Sequence, residues 1–295
     1  MAGTRRSGYR PGVRRAIALL PLLALAACEP GVLDPAGPVA AGDRTVMLNA
    51  LVVMLAIIVP VIVLTLAFAW WFRAGNTRAT YRPDWSFSGQ LELLVWSIPL
   101  LAVIFLAGIG WIGSHRLDPA RPLPGRAVPV QVVALDWKWL FIYPDQGVAT
   151  INHLVVPAGR PVALRLTSAT VMNSFFVPRL GSQLYAMSGM DAKLNLQADR
   201  PGRYRGLSAH YSGEGFADMT FAVDALPGGG FEQWAARAKG AGPALDDATY
   251  RRLALTEATA RPATFGAVQP GLYDAVVADA GTTARRPLKH AGRVE

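Results

Sequence analysis

The stretch VMLNALVVMLAIIVPVIVLTLAFAWWF, residues 46–72, contains no charged side chain. At a rise of about 1.5 Å per residue, a helix of this length crosses the roughly 30 Å hydrocarbon core of a bilayer. A second apolar run, LLVWSIPLLAVIFLAGIGWIGS, occupies residues 93–114. Each run contains a proline, Pro60 or Pro99, at which a kink is expected. The sequence therefore predicts a hairpin of two transmembrane helices, over residues 46–72 and 91–114.

The charges beside the two runs indicate their orientation. The connecting segment, residues 73–90, carries Arg73, Arg78 and Arg82 against one acid, Asp84. The segment before the first run, residues 28–45, is mainly acidic. Its charged residues are Glu29, Asp34, Asp43 and Arg44. Because arginine-rich loops stay in the cytoplasm, the loop 73–90 is predicted to be cytoplasmic and the segment 28–45 periplasmic.

The N-terminus has the features of an export signal. Arginines at positions 5, 6, 10, 14 and 15 precede a short apolar core, too short to span a bilayer, so residues 1–27 are predicted to be a signal peptide. The sole cysteine, Cys28, follows Leu25-Ala26-Ala27. This arrangement resembles the lipobox of bacterial lipoproteins and implies that Cys28 carries a lipid after cleavage. The alternative is an ordinary signal peptide with a chance cysteine.

Composition excludes several classes of function. Of the 295 residues, 52% are hydrophobic and 17% charged, a balance typical of a membrane-anchored chain. The net charge is +9, but the arginines cluster at the N-terminus, in the loop 73–90 and in the C-terminal tail. With no basic face interleaved with aromatic residues, nucleic acid is not an expected partner. One cysteine can form neither an internal disulfide nor a thiolate metal cluster.

Residues 115–227 show the pattern of an exported β-domain. Val162, Leu164 and Leu166 alternate with more polar residues, as do Met219 and Phe221, and alternation is typical of a strand with one buried face. Several such segments separated by Pro and Gly turns predict an antiparallel β-sandwich. Residues 228–280 then predict a helical extension with helices over 231–239 and 246–255. The basic tail, residues 281–295, is predicted to be disordered.

This order of segments resembles subunit II of the haem–copper respiratory oxidases. Four stretches carry the resemblance. They are the helix-boundary motif from Glu92 to Pro99, ELLVWSIP; the aromatic stretch from Asp136 to Pro144, DWKWLFIYP; and the segments VMNSFFVPRLGSQ from Val171 and YSGEGF from Tyr211. The last two are similar to the ubiquinol-oxidase branch, of the bo type. The resemblance covers about residues 20 to 280 and implies a cupredoxin-like sandwich.

The cytochrome c oxidase branch of that family holds a dinuclear copper centre in the sandwich, on histidine, cysteine, glutamate and methionine ligands. Soft thiolate and imidazole ligands suit a copper site of this kind. At the corresponding positions this chain has other residues, which are Asn173, Ser208, His210, Ser212 and Phe216. Only Met219 is retained. The comparison predicts that the chain binds no metal and carries no catalytic residue.

Other candidate residues have a structural and a functional interpretation. The stretch 208–219, which holds most of the lost ligand positions, is called here the remnant loop. Met219 is expected to pack in the core, and His210 to be a polar residue of the remnant loop. Trp137 and Trp139 are predicted to be core or subunit-interface aromatics. Glu92 begins the second helix, where the helix dipole favours an acid, and with Trp96 it is a candidate interface residue. Neither a zinc-like histidine spacing nor a Ser/His/Asp arrangement is found.

The resemblance implies a non-catalytic subunit of a proton-pumping inner-membrane oxidase that oxidises ubiquinol and reduces oxygen to water. Haem b, an o-type haem and copper are then expected in subunit I, which this chain supports and caps together with small membrane subunits. Three alternatives stay open. They are a copper-containing cytochrome c oxidase subunit, a menaquinol-using relative, and a stand-alone lipoprotein binding module.

Overall fold

The computed structural model describes residues 31–80, 82–255 and 260–283. The predicted signal peptide and Cys28 lie outside these residues. Most of the basic tail also lies outside them, but the last helix extends to Thr283, so it includes the first three residues of the stretch predicted to be disordered.

Two long helices form an antiparallel hairpin. Helix α1 spans Pro38–Trp71 and α2 spans Gly89–Arg116, with Pro60 and Pro99 inside them. Both are long and apolar enough to cross a membrane. Helix α1 begins at Pro38, before the apolar run, because proline at the first helical position has the right backbone angle and needs no hydrogen-bond acceptor. Its first turns therefore lie outside the membrane-spanning run.

The helices approach closely at the end nearer the exported domain. A Cβ atom placed on Gly113 would lie 3.0 Å from Val46, and one on Gly42 would lie 2.5 Å from Leu117. Small residues at these positions let the two backbones come together, as is common for helices packed in membranes.

The described residues after α2 contain thirteen strands. They are β1 (Val128–Leu135), β2 (Lys138–Tyr143), β3 (Val148–Ile151), β4 (His153–Pro157), β5 (Pro161–Ser168), β6 (Asn173–Phe176), β7 (Leu184–Ala186), β8 (Ala192–Gln197), β9 (Gly202–Ser208), β10 (Thr220–Leu226), β11 (Ala244–Leu245), β12 (Ala263–Phe265) and β13 (Ala267–Val268). One sheet has the order β12-β3-β2-β1-β5-β8, and the second has the order β4-β10-β9-β6-β7. The two sheets form the predicted sandwich.

An aromatic cluster fills the space between the sheets. The rings of Phe175 and Phe221 stack with centroids 5.0 Å apart, and Trp139 meets Phe175 edge-on at 5.4 Å. All three residues are buried. Tyr143 extends the core, and its hydroxyl accepts a 2.7 Å hydrogen bond from the amide of Val155. This bond joins strand β2 of one sheet to β4 of the other.

The sequence predicts an antiparallel sandwich, yet two strand pairs within the two sheets of the sandwich are parallel, β1 with β5 and β4 with β10. The chain leaves the first sheet at Asn152, which adopts a left-handed conformation with φ of 52°. Asparagine tolerates this conformation, and its side chain accepts a 2.8 Å hydrogen bond from the amide of Trp139. Strand β4 then joins the second sheet, and β5 returns beside β1. Because the chain reaches β5 by way of β4 in the second sheet, and not by a tight hairpin from β1, β5 can pair with β1 in parallel.

The C-terminal extension packs on the sandwich in two places. Its first helix adjoins the main core through Phe231 and Ala238, and the rest covers the outer face of the six-stranded sheet. The extension contains helices α3 (Gly230–Ala238), α4 (Asp247–Leu255) and α5 (Leu272–Thr283). The side chain of Asp246 caps α4 by accepting a 2.8 Å hydrogen bond from the amide of Thr249. Leu245, Phe265 and Tyr273 form a second core with Leu140 and Ile142. Strand β2 is therefore buried on both faces.

Candidate functional site

The positions that the resemblance assigns to copper ligands lie at one end of the five-stranded sheet. Strands β6 and β9 are neighbours, with Phe175 opposite Ser208, and this pairing brings Asn173 and Ser208 together. Both are buried. The hydroxyl of Ser208 lies 3.2 Å from Oδ1 of Asn173, to which it donates. The amide nitrogen Nδ2 of Asn173 donates to the carbonyl of Val171 at 3.2 Å, so the pair is neutral and already hydrogen-bonded.

The remaining positions lie on the loop between β9 and β10, which contains a short 3-10 helix over Glu214–Asp218. The ring of His210 packs edge-on against Tyr185, with centroids 5.8 Å apart. The ring of Phe216 packs against Tyr211 in the same manner at 5.7 Å. The side chains of His210 and Phe216 therefore pack against tyrosine rings.

Met219 and Ser212 differ in their surroundings. Met219 is 1% exposed and belongs to the main hydrophobic core with Phe221 and Val223. The hydroxyl of Ser212 is buried, and within the described residues it has no hydrogen-bond partner.

This set of side chains does not fit a dinuclear copper centre. Such a centre needs thiolates, and these positions supply hydroxyls, an amide, one imidazole and one thioether. The amide and one hydroxyl are engaged with each other. No group of three or more His, Cys, Asp or Glu side chains is arranged around a common point in the described parts of the chain. The residues at the copper-ligand positions are therefore arranged for packing and hydrogen bonding, and not for ligation of copper.

Trp137 and Trp139 occupy different environments. Trp139 is 0% exposed and packs in the core. Of the two roles predicted for it, core packing fits this burial, since a fully buried ring presents no surface to another subunit. Trp137 is half-buried in the two-residue turn between β1 and β2, with φ of 58°. Its ring lies against Gly213 and Gly215 of the remnant loop.

Lys138 stands between the two tryptophans and is buried. Its ammonium group donates a 2.9 Å hydrogen bond to the carbonyl of Asp136. Burial lowers the pKa of Lys138, and the charge of Asp136 partly offsets this shift.

Glu92 and Trp96 meet on the surface of helix α2. The indole nitrogen of Trp96 donates a 3.1 Å hydrogen bond to a carboxylate oxygen of Glu92, one turn earlier. Trp96 is 73% exposed. The pair therefore presents a polar contact on the outer surface of a helix that is mostly apolar.

A contact that the sequence did not reveal joins the start of helix α1 to the sandwich. We call residues 34–43 the N-terminal segment. The guanidinium of Arg179 forms a 2.5 Å ion pair with Asp34, and the carboxylate of Asp43 accepts a 2.8 Å hydrogen bond from Ser182. The amide of Ala36 donates to the carbonyl of Arg179 at 2.7 Å. Arg179 and Ser182 lie inside the motif that begins at Val171, but their partners are more than a hundred residues away in sequence.

Comparison with known proteins agrees with this architecture. Residues 145–226 match the family described as cytochrome C oxidase subunit II, periplasmic domain. The chain is 45% identical over 259 residues to cytochrome bo(3) ubiquinol oxidase subunit 2 of Pseudomonas aeruginosa, covering 87% of this chain and 78% of that protein. It is 47% identical to ubiquinol oxidase subunit 2 of Acetobacter aceti, covering 87% and 84%. The chain belongs to the ubiquinol oxidase subunit 2 family.

The chain is also similar to more distant proteins. Quinol oxidase subunit 2 of Bacillus cereus is 33% identical, with 80% of this chain and 84% of that protein covered. Among solved structures, the periplasmic domain of subunit II of cytochrome oxidase (CoxB) of Bradyrhizobium japonicum has 21% identity and a TM-score of 0.38, covering 39% of this chain and 96% of that one. As a ubiquinol oxidase subunit 2, the chain is a membrane-anchored member of a haem–copper oxidase complex with a periplasmic domain.

Proposed function

We propose that this chain is the non-catalytic subunit of a terminal oxidase complex that oxidises ubiquinol, reduces oxygen to water and moves protons across the membrane. One observation carries the proposal. The positions that would hold copper contain a neutral, buried hydrogen bond between Ser208 and Asn173. A subunit without copper cannot receive electrons from a water-soluble donor by that route, whereas ubiquinol delivers electrons from within the membrane. The names of the relatives from Pseudomonas and Acetobacter support the same donor.

The catalytic groups then belong to another subunit. We assign haem b, an o-type haem and copper to subunit I, where ubiquinol also binds. The role of this chain is to bind subunit I and the small membrane subunits and to cap subunit I on the periplasmic side. Glu92 and Trp96 on the outer surface of α2, together with the half-buried Trp137, are the residues we assign to that interface.

We place the chain in the inner membrane with the loop 73–90 in the cytoplasm and the sandwich in the periplasm. The loop carries Arg73, Arg78 and Arg82 against Asp84, as the positive-inside rule requires. Signal-peptide removal before Cys28 and lipidation of its thiol complete the topology. The N-terminal segment supports this arrangement, because it contacts the periplasmic domain only a few residues after Cys28.

A menaquinol-using oxidase is the second candidate. The relative from Bacillus cereus, named only a quinol oxidase subunit, is 33% identical, against 45% and 47% for the two ubiquinol oxidase subunits. Ubiquinol is therefore the favoured donor.

Purification of the tagged complex from membranes tests the proposal. We expect haem spectra in the pulled-down material and oxygen uptake with ubiquinol but not with reduced cytochrome c. Copper per complex should be unchanged in Met219→Leu and Ser208→Ala, because neither residue holds metal. A fall in copper in either variant, or a preparation without haem, would contradict the assignment.

Lipidation is tested separately by mass spectrometry of the mature N-terminus. The expected product begins at Cys28 and carries the added mass of acyl chains. In Cys28→Ser we expect the uncut precursor to accumulate, since lipoprotein processing requires the cysteine. An unmodified N-terminus, or normal processing of the serine variant, would remove this part of the proposal.

A further inference from the structure

The cytoplasmic end of the hairpin contains a cavity of about 630 Å³. Its polar wall includes Arg73, Asn76 and Arg82, and its apolar wall includes Phe72, Trp85 and Leu91. It lies where both apolar helices end, so it sits at the boundary between hydrocarbon and headgroups. Trp70 and Trp71 mark the same level, where tryptophan is enriched in membrane proteins.

The two arginines of this cavity make no direct contact with an acid among the described residues. The guanidinium of Arg73 donates a 2.7 Å hydrogen bond to the carbonyl of Trp70 and lies 4.9 Å from the ring of the same residue. Neither contact supplies a negative charge. Within the described parts of the chain, Arg73 and Arg82 form no ion pair with an acid. A guanidinium has five donors, so most of the hydrogen-bonding capacity of Arg73 is available to a ligand.

The loop holds the polar wall in a defined place. Asn76 closes the end of helix α1, because its side chain donates a 2.5 Å hydrogen bond to the carbonyl of Trp71. Its Oδ1 atom accepts a 3.1 Å hydrogen bond from the amide of Arg78. The chain is thereby turned back toward α2, with Arg73 before the turn and Arg82 after it.

We propose that this cavity binds the headgroup phosphate of an anionic phospholipid from the cytoplasmic leaflet. This rests on the proposed membrane topology. Two uncompensated guanidinium groups are suited to phosphate, which they can bind through paired hydrogen bonds. The opposite wall is apolar and largely exposed, with Phe72 at 61% and Trp85 at 59%. Inorganic phosphate would leave that wall in water, whereas the glycerol and acyl part of a lipid would cover it.

The test uses the whole tagged oxidase complex in nanodiscs of phosphatidylcholine with a minor fraction of phosphatidylglycerol. Native mass spectrometry then measures the phosphatidylglycerol retained per complex. Arg82→Gln is expected to weaken retention about fivefold, the effect of one arginine near a membrane surface. Arg78→Gln is the matched control, since it removes the same charge from the same loop but does not line the cavity. It is expected to retain the lipid as the unaltered complex does.

Equal retention in Arg82→Gln and the unaltered complex would overturn the proposal, and so would an equal loss in both variants, which would indicate general attraction to the loop. Should Arg82→Gln fail to assemble, Arg73→Gln carries the same expectation. Excess inorganic phosphate is expected to leave retention unchanged, and displacement by it would assign the cavity to free phosphate. A complex that lacks bound phosphatidylglycerol before any substitution would show that another subunit fills the cavity.

Haem content and ubiquinol-dependent oxygen uptake are measured on the same preparations. Absence of haem would contradict the proposed function. An active complex whose lipid retention does not respond to Arg82→Gln would contradict only the lipid site.

Discussion

Trp137 organises the loop between β9 and β10, against which its ring packs. Its left-handed backbone, with φ of 58°, is uncommon for a bulky residue and is maintained only where surrounding contacts fix it. Those contacts come from Gly213 and Gly215, which have no side chain and let the Trp137 ring lie directly against the backbone. A Cβ atom on Gly215 would lie only 2.3 Å from the Trp137 ring. The remnant loop is thus held by packing.

Substitution of Gly215 by alanine should therefore destabilise the subunit by roughly 1–3 kcal/mol, the usual cost of overpacking. Thermal unfolding of the purified full-length chain in detergent measures the change. Gly228→Ala is the control, because a Cβ atom there meets nothing within 4 Å. Equal melting temperatures for the two variants would show that Trp137 does not pack on the loop in this way.

The C-terminal extension covers the outer face of the six-stranded sheet, so that this face forms a second hydrophobic core. Arg165 of strand β5 forms ion pairs of 2.9 Å with Asp191 and 3.0 Å with Asp274 of helix α5. Its guanidinium also lies 4.8 Å from the centre of the Tyr273 ring. Tyr273 is 1% exposed, while Asp274 is 65% exposed at its side chain. Burial of the ring should dominate the energetics of this contact.

Two variants separate the contributions of burial and charge. Tyr273→Ala should cost about 3–5 kcal/mol of unfolding free energy, as removal of a buried aromatic side chain usually does. Asp274→Asn removes one surface ion pair and should cost less than about 1 kcal/mol. Chemical denaturation of the intact chain in detergent gives both values. A larger effect for Asp274→Asn would mean that the ion pairs, and not the buried ring, hold helix α5 in place.

At the scale of the whole molecule, the described residues attach the sandwich to the membrane hairpin at two places. One is the linker after helix α2, where the amide of Asn195 donates a 2.9 Å hydrogen bond to the carbonyl of Pro119. The other is the N-terminal segment, where Asp34 pairs with Arg179 and the amide of Asp199 donates to the carbonyl of Ala36 at 2.8 Å. Two attachments fix the orientation of the sandwich better than a single linker would.

Gly37→Ala tests the second attachment. A Cβ atom at this position would lie 2.0 Å from the carbonyl oxygen of Gln197, a backbone atom that cannot easily move. The segment should detach locally, and hydrogen exchange at the amides of Ala36 and Asp199 should become faster on the order of tenfold. Gly75→Ala, which meets nothing within 4 Å, is the control. Unchanged exchange in Gly37→Ala would show that the segment does not dock on the sandwich.

The membrane hairpin and the two-sheet fold could be predicted from the sequence because they depend on local patterns. The runs 46–72 and 93–114 are apolar throughout, and in strand β5 Val162, Leu164 and Leu166 alternate as a half-buried strand requires. The types of the residues at the copper-ligand positions could also be read directly, since the chemistry of a thiolate cannot be supplied by serine.

Only the tertiary structure decided which distant residues meet. Strand β2 is buried on both faces because the extension covers it. The alternation of apolar and polar residues along a strand does not show that a distant segment covers its second face. The parallel pairing of β1 with β5 depends on the path of the chain between the sheets. Asp34 meets Arg179, and Arg73 and Arg82 line one cavity, because the packed helices and strands place them together. Residue type and periodicity are local properties, whereas these contacts arise from how the elements pack.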